Sequence, residues 1–358
     1  MRKSRHVGVA VLFGLLVAGP SPTSGGAPKS LGGLVAASDG IVVGTIAQGT
    51  ATGTSIALSI QVERAIKGKW ATGAVIAAAG TISEPSPTRA ITEQRGIFFL
   101  ANAGTGPMRL VPAMSGHLLD EMFVFLPLPD ASVPAAQPGA NSTTRERLLL
   151  EILGAMEAGP TKRFGGFVDV LGEYHAAPTP AIQMVFQQWL ASGPPGLAAI
   201  ALQGLLGEGD VNALSRVVTD PVLRASATQA HAFNGLRWYF NNTDPAAVSS
   251  LGKLASDNSN GEDLRVAAAS ALARIHIKQA LPILAQLLGS PDPSLRACAV
   301  GGLSMFANNV PIGSHEPAVG DWRWRTDETI AHSAMVGSDA QVQFWKNWWI
   351  TNQAALSQ

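Results

Sequence analysis

Between Asp263 and Asn308 the chain states one helical pattern twice. Leu264, Ala268, Ala271, Leu272 and Ile275 fall at helical spacing and make a single apolar stripe. Displaced by 31 positions (264 to 295), Leu295, Ala299, Gly302, Leu303 and Phe306 restate it, and Arg265 recurs as Arg296. Leu281, Leu284, Leu287 and Leu288 form a second, shorter amphipathic segment between the two, closed by Gly289-Ser290-Pro291. A unit of helix, turn and helix that repeats in this way cannot bury its apolar faces alone, so neighbouring units stack. The pattern predicts an α-solenoid.

Looser copies extend the array toward the N-terminus. Asp220-Pro221-Val222-Leu223-Arg224 parallels Asp292-Pro293-Ser294-Leu295-Arg296, and Leu197, Ala201, Gly204 and Leu205 keep the offsets of the stripe. This Asp-Pro-x-x-Arg signature, followed by an alanine-rich helix, resembles HEAT-like repeats, in particular the short variety named after phycobilisome lyases. The resemblance implies that the aspartate caps the helix, that the proline opens its first turn, and that the arginine reaches acidic groups or carbonyls along the stack. It also implies a binding scaffold with a protein partner. The lyase name carries no activity here, because nothing beyond the repeat supports chromophore chemistry. On this register His231 takes the position of Leu272 and Leu303, where a packed histidine bonded to a local carbonyl is expected.

The first third of the chain reads differently. Ile41 to Ile46, Ser55 to Ala65, Ala74 to Ala79, Gly96 to Ala101, Met108 to Ala113 and Glu121 to Leu126 are short strand-like runs with glycine-rich turns between them. Together they predict a small antiparallel barrel or sandwich. Ser38-Asp39-Gly40-Ile41-Val42-Val43-Gly44, then Gln61 to Gly68, then Gly96-Ile97-Phe98-Phe99-Leu100 resembles netrin-like barrels of the OB type. The protease inhibitors among those barrels bind zinc through an N-terminal cysteine. The sole cysteine here is Cys298, so the resemblance implies the fold without the inhibition.

The expected class is therefore α+β and multidomain, a small antiparallel β-barrel followed by a short α-solenoid. Residues 1–27 combine a basic start (Arg2, Lys3, Arg5) with an apolar run from Val7 to Ala18 and small residues after it, the pattern of a signal peptide. The run is too short for a membrane anchor. Residues 28–127 form the β domain and 128–143 a Pro/Ala-rich linker. Residues 144–309 form the solenoid, and 310–358 a tryptophan-rich C-terminal element. Export to the periplasm or extracellular space follows from the first of these.

Chemistry is sparsely signalled. Twenty-five basic residues balance twenty-five acidic ones and no basic run occurs, which argues against a nucleic-acid partner. The seven histidines form no pair with zinc-site spacing, so no metal, cofactor or catalytic residue is assigned. Gly204-x-x-Gly207-x-Gly209 lies between two predicted helices and lacks the strand and lysine of a phosphate loop. Cys298 aligns with Ala267 and reads as a packed side chain.

The one unusual constellation is Trp322, Trp324, Trp345, Trp348 and Trp349, with Val342, Trp345, Trp348 and Trp349 on one face of a terminal helix. These tryptophans either seal the open end of the solenoid or present a ligand surface. The expected function is an exported, non-enzymatic protein–protein interaction scaffold. The alternative is a secreted binder of a glycan or peptide, through the tryptophans or the barrel mouth.

Overall fold

The computed structural model describes residues 31–102, 104, 106–111, 125–159, 170–309 and 339–356, with the backbone alone at 82–87 and 89. The expected signal peptide, Trp322 and Trp324 lie outside the described residues. A short helix α1 (Leu31–Ala37) leads into five strands: β1 (Gly40–Lys67), β2 (Val75–Ile91), β3 (Arg95–Ala101), β4 (Met108–Leu110) and β5 (Phe125–Pro127). Their order is β1-β2-β4-β3-β5, and β1 also pairs β3, so the sheet closes into a small barrel. β1 bends sharply enough that its halves meet: a Cβ on Gly44 would sit 2.5 Å from the Gln61 carbonyl oxygen.

Each predicted run meets a strand within the described residues, although Pro112, Ala113 and Glu121 to Val124 lie outside them, and one stretch is longer than expected. Gly49 to Gly53, which reads as turn material, pairs with Ser86 to Ile91. Pro85 and Pro87 mask this strand in the sequence. They are tolerated because the register shifts around Gly53 and Ser55, where ladder hydrogen bonds are interrupted.

Strand alternation sorts the apolar side chains into two cores. Val42, Ile56, Leu58, Ile60, Phe98 and Leu100 fill the barrel, where Phe98 stacks on Phe125 at 4.9 Å. Ile41, Val43, Ile97, Phe99 and Leu126 point outward and join the core of the helices. The uninterrupted runs Ile41-Val42-Val43 and Ile97-Phe98-Phe99-Leu100 follow from this, since a strand covered on both faces needs apolar residues at successive positions.

The helical part comprises α2 (Thr144–Ala158), α3 (Val170–Ala176), α4 (Pro180–Ser192), α5 (Pro195–Gly207), α6 (Val211–Thr219), α7 (Pro221–Gln229), α8 (Asn234–Trp238), α9 (Pro245–Ser256), α10 (Glu262–Ile275), α11 (Leu281–Leu287), α12 (Pro293–Ala307) and α13 (Asp339–Leu356). These helices stack in two rows. In one, α5, α8, α10 and α12 pack successively; in the other, α6 meets α9, α9 meets the short 3₁₀ turn before α11, and α11 meets α13. Caps set the starts: Asp220, Asp244 and Asp292 each accept backbone N–H bonds, and Pro221, Pro245 and Pro293 open the first turns. The molecule is a closed β-barrel followed by a helical-repeat solenoid.

Two local expectations change. The repeat register carries a helix through His231, but α7 ends at Gln229 and His231 turns outward with φ 52°, exposed to solvent. The break lets Phe233, Leu236 and Phe240 enter the core while the polar imidazole stays in water. The segment 128–143 has no apolar periodicity, yet it is tied down through its backbone. Arg95 donates to the carbonyls of Pro129 and Ser132 and to Ser132 Oγ, and Ala135 N–H donates to the Leu150 carbonyl at 2.9 Å. A Cβ on Gly154 would collide with the Val133 carbonyl oxygen at 1.7 Å, so α2 accepts this segment only with glycine there.

Candidate functional site

The tryptophans split between core and surface. Trp345 is 2% exposed, while Trp348 and Trp349 are half-buried against the same core. Trp345 meets Phe344 edge-on at 5.2 Å and Trp348 at 5.3 Å with their planes 64° apart. The α13 helix that carries them lies on α11 and α12, in the place of a second-row helix. Edge-on packing of this kind fills volume between helices; it does not make the coplanar platform on which a flat ligand stacks.

The repeat arginines run along the array and reach what the signature implies. Arg265 Nη2 lies 3.3 Å from Asp292 Oδ2, the cap of the next unit. Arg296 donates to the Ser290 and Pro291 carbonyls, Arg224 to the Val218 carbonyl and Arg274 to the Arg237 carbonyl. A guanidinium satisfies several acceptors at once, which suits it to carbonyls left bare at helix ends. Cys298 is half-buried, its Sγ 3.4 Å from Ser270 Oγ.

A charged seam joins barrel and solenoid. Arg64 on β1 pairs bidentately with Glu151 on α2. Beside it Arg95 binds Glu63, whose carboxylate also accepts from Thr45. Burial alone would raise the Glu63 pKa, but the Arg95 hydrogen bonds and charge outweigh it, and the carboxyl is held below its ordinary value. Glu151 bonding raises the already high pKa of Arg64. Glu173 on α3 accepts the Leu31 N–H at 3.0 Å and pairs with Arg145, so α1, α2 and α3 are tied together.

A second polar cluster gave no local sequence signal. His175 lies in the last turn of α3, and its Nδ1 is 2.6 Å from Glu208 Oε1 at the end of α5. The side chain is 5% exposed and stacks on Tyr239, centroids 4.3 Å apart. Burial, then the charges of Glu208 and Asp210, push the neighbouring Tyr174 phenol up. Here the glycine motif finds its use. A Cβ on Gly204 would strike the Phe186 ring at 2.4 Å, and one on Gly207 the His175 ring at 2.0 Å. Gly204 and Gly207 are therefore packing positions.

Among the described residues no group of three or more His, Cys, Asp or Glu could hold a metal ion, and no helix is long and apolar enough to cross a membrane. No curated protein and no solved structure matches the chain. Residues 248–314, which take in α10, α11 and α12, match the family model of HEAT repeats.

Proposed function

We propose that this chain is an exported, non-enzymatic scaffold that binds a protein partner along its helical array. The observation that carries the reading is the two-row stack itself, with its Asp-Pro caps, its arginines turned to the stack, and its match to HEAT repeats, which commonly serve as protein-interaction scaffolds. The barrel is the fixed end of that scaffold, held by the Arg64–Glu151 and Arg95 contacts, and its proposed type is the netrin-like OB barrel. Export rests on the basic and apolar pattern of residues 1–18, and α13 serves as the closing helix of the array. Photo-crosslinking residues placed at Met184 and Val222 on the array, and at Val75 on the barrel, test the reading in the native host. One discrete protein adduct from an array position, in an exported fraction of the leaderless chain, is the expected result. Adducts confined to Val75, or a chain recovered inside the cell with Met1 intact, would count against it. The half-exposed Trp348 and Trp349 favour a glycan or peptide site as the second reading; loss of glycan binding in a Trp348→Ala chain that melts unchanged would select it.

A further inference from the structure

The His175 cluster joins three elements that are distant in sequence. His175 lies in the last turn of α3, Glu208 just after α5, and Tyr239 just after α8. Nδ1 contacts the Glu208 carboxylate at 2.6 Å, Tyr239 stacks on one face of the imidazole, and Gly207 leaves room for the ring. Nε2 is buried and has no hydrogen-bond partner among the described residues. Tyr239 itself is 41% exposed and stands beside Trp238, 42% exposed, with the Arg237 guanidinium 6.0 Å from the Trp238 ring. A buried imidazole thus holds in place the base of an exposed aromatic pair.

The groups that face it determine how charge affects the contact. From its own helix come the Tyr174 ring, 5.6 Å away, and Glu173, which is engaged by Arg145 and the Leu31 N–H. From the end of α5 comes Glu208, from the following loop Asp210, whose field reaches Tyr174, and from the end of α8 the face of Tyr239. Arg237 is the cation nearest in sequence on that side, and it is turned to Trp238. Carboxylates and an aromatic face both attract an imidazolium more strongly than a neutral ring.

From this geometry we infer that His175 and Glu208 form a proton-dependent latch between the first helices and the repeat array. The latch is tightest when His175 carries a second proton, because the imidazolium is drawn to the Glu208 carboxylate and to the Tyr239 face more strongly than the neutral ring is. Closed, it fixes Tyr239 and with it the Trp238–Tyr239 surface; open, it frees the α8 end from α3.

Hydrogen exchange of the full wild-type chain tests this directly. Peptides covering residues 170–176 and 234–242 are followed at about pH 5.5 and about pH 8, with rates corrected for intrinsic exchange. Protection in both peptides that is greater at the lower pH, while peptides from α10 stay constant, is the expected result. Equal corrected protection at the two pH values overturns the latch. A second measurement uses His175→Gln, which keeps a donor for Glu208 without the charge. The wild type should exceed this variant in Tm by about 2 °C or more at about pH 5.5, and by less at about pH 8. A difference independent of pH would assign His175 a packing role only.

Discussion

At the scale of single residues, the seam and the repeat stripe make different demands. Glu63 is held ionised by Arg95, whose hydrogen bonds and charge outweigh burial and keep the carboxyl below its ordinary range. A carboxyl with a depressed folded-state pKa adds stability above its unfolded value, and that contribution disappears as pH falls through the lower folded value. The Tm advantage of wild type over Glu63→Gln should therefore shrink between about pH 6 and about pH 3.5. A constant advantage over that interval would show that Glu63 acts by shape alone. Leu272 and Leu303 are both fully buried at equivalent positions of their helices, as the repeat predicts. Leu272→Ala removes buried methyl groups from a packed core and should cost about 2–5 kcal/mol in equilibrium denaturation. A loss under about 0.5 kcal/mol, the range of surface substitutions, would contradict the register. His231 marks the limit of such reasoning, because a register carries no information about where a helix breaks to let Phe233 and Phe240 turn inward.

At the scale of elements, starts and stripes are local and contacts between rows are not. Thr143 and Thr179 cap α2 and α4 through their side-chain oxygens; the sequence offers Ser142 or Thr143 for the first and Thr179 for the second, because a capping bond spans only three residues. The later half of β2, which pairs with Gly49 to Gly53, is not legible in the same way, since Pro85 and Pro87 read as turn until the partner strand is known. Close approach between helices is also decided in three dimensions. A Cβ on Gly235 would lie 1.9 Å from the Gln203 carbonyl oxygen, so α8 meets α5 backbone to backbone. Gly235→Ala should push these helices apart and cost about 1–3 kcal/mol, read as a lower denaturation midpoint with an unchanged slope. An unchanged midpoint would mean that α8 yields freely, and the row assignment of α8 would need revision.

At the scale of the whole molecule, the helical core and the outer face of the barrel are one continuous apolar body. Leu128, Ala135 and Ala136 carry it across residues 128–143, so these residues should resist limited proteolysis while the chain is folded. The end of the array depends on α13. Trp345, Trp348 and Trp349 each offer aromatic surface on the order of 150–250 Å² for packing. Removing residues 336–358 should lower the Tm and raise the binding of a hydrophobic dye, as α11 and α12 lose the helix that covers them. Unchanged melting of the truncated chain would detach α13 from the fold and return the tryptophans to the role of a ligand surface. The sequence by itself determined the barrel strands, the solenoid, the Asp-Pro caps and the buried stripe, because periodicity and capping act over a few residues. Only the tertiary structure decided that the barrel is fused to the helices through Arg64, Glu151 and Arg95, that His175 meets Glu208 and Tyr239, and that residues 128–143 are fastened down. Those contacts join positions far apart in the chain, and a pair of charges or a ring over a glycine leaves no period to read.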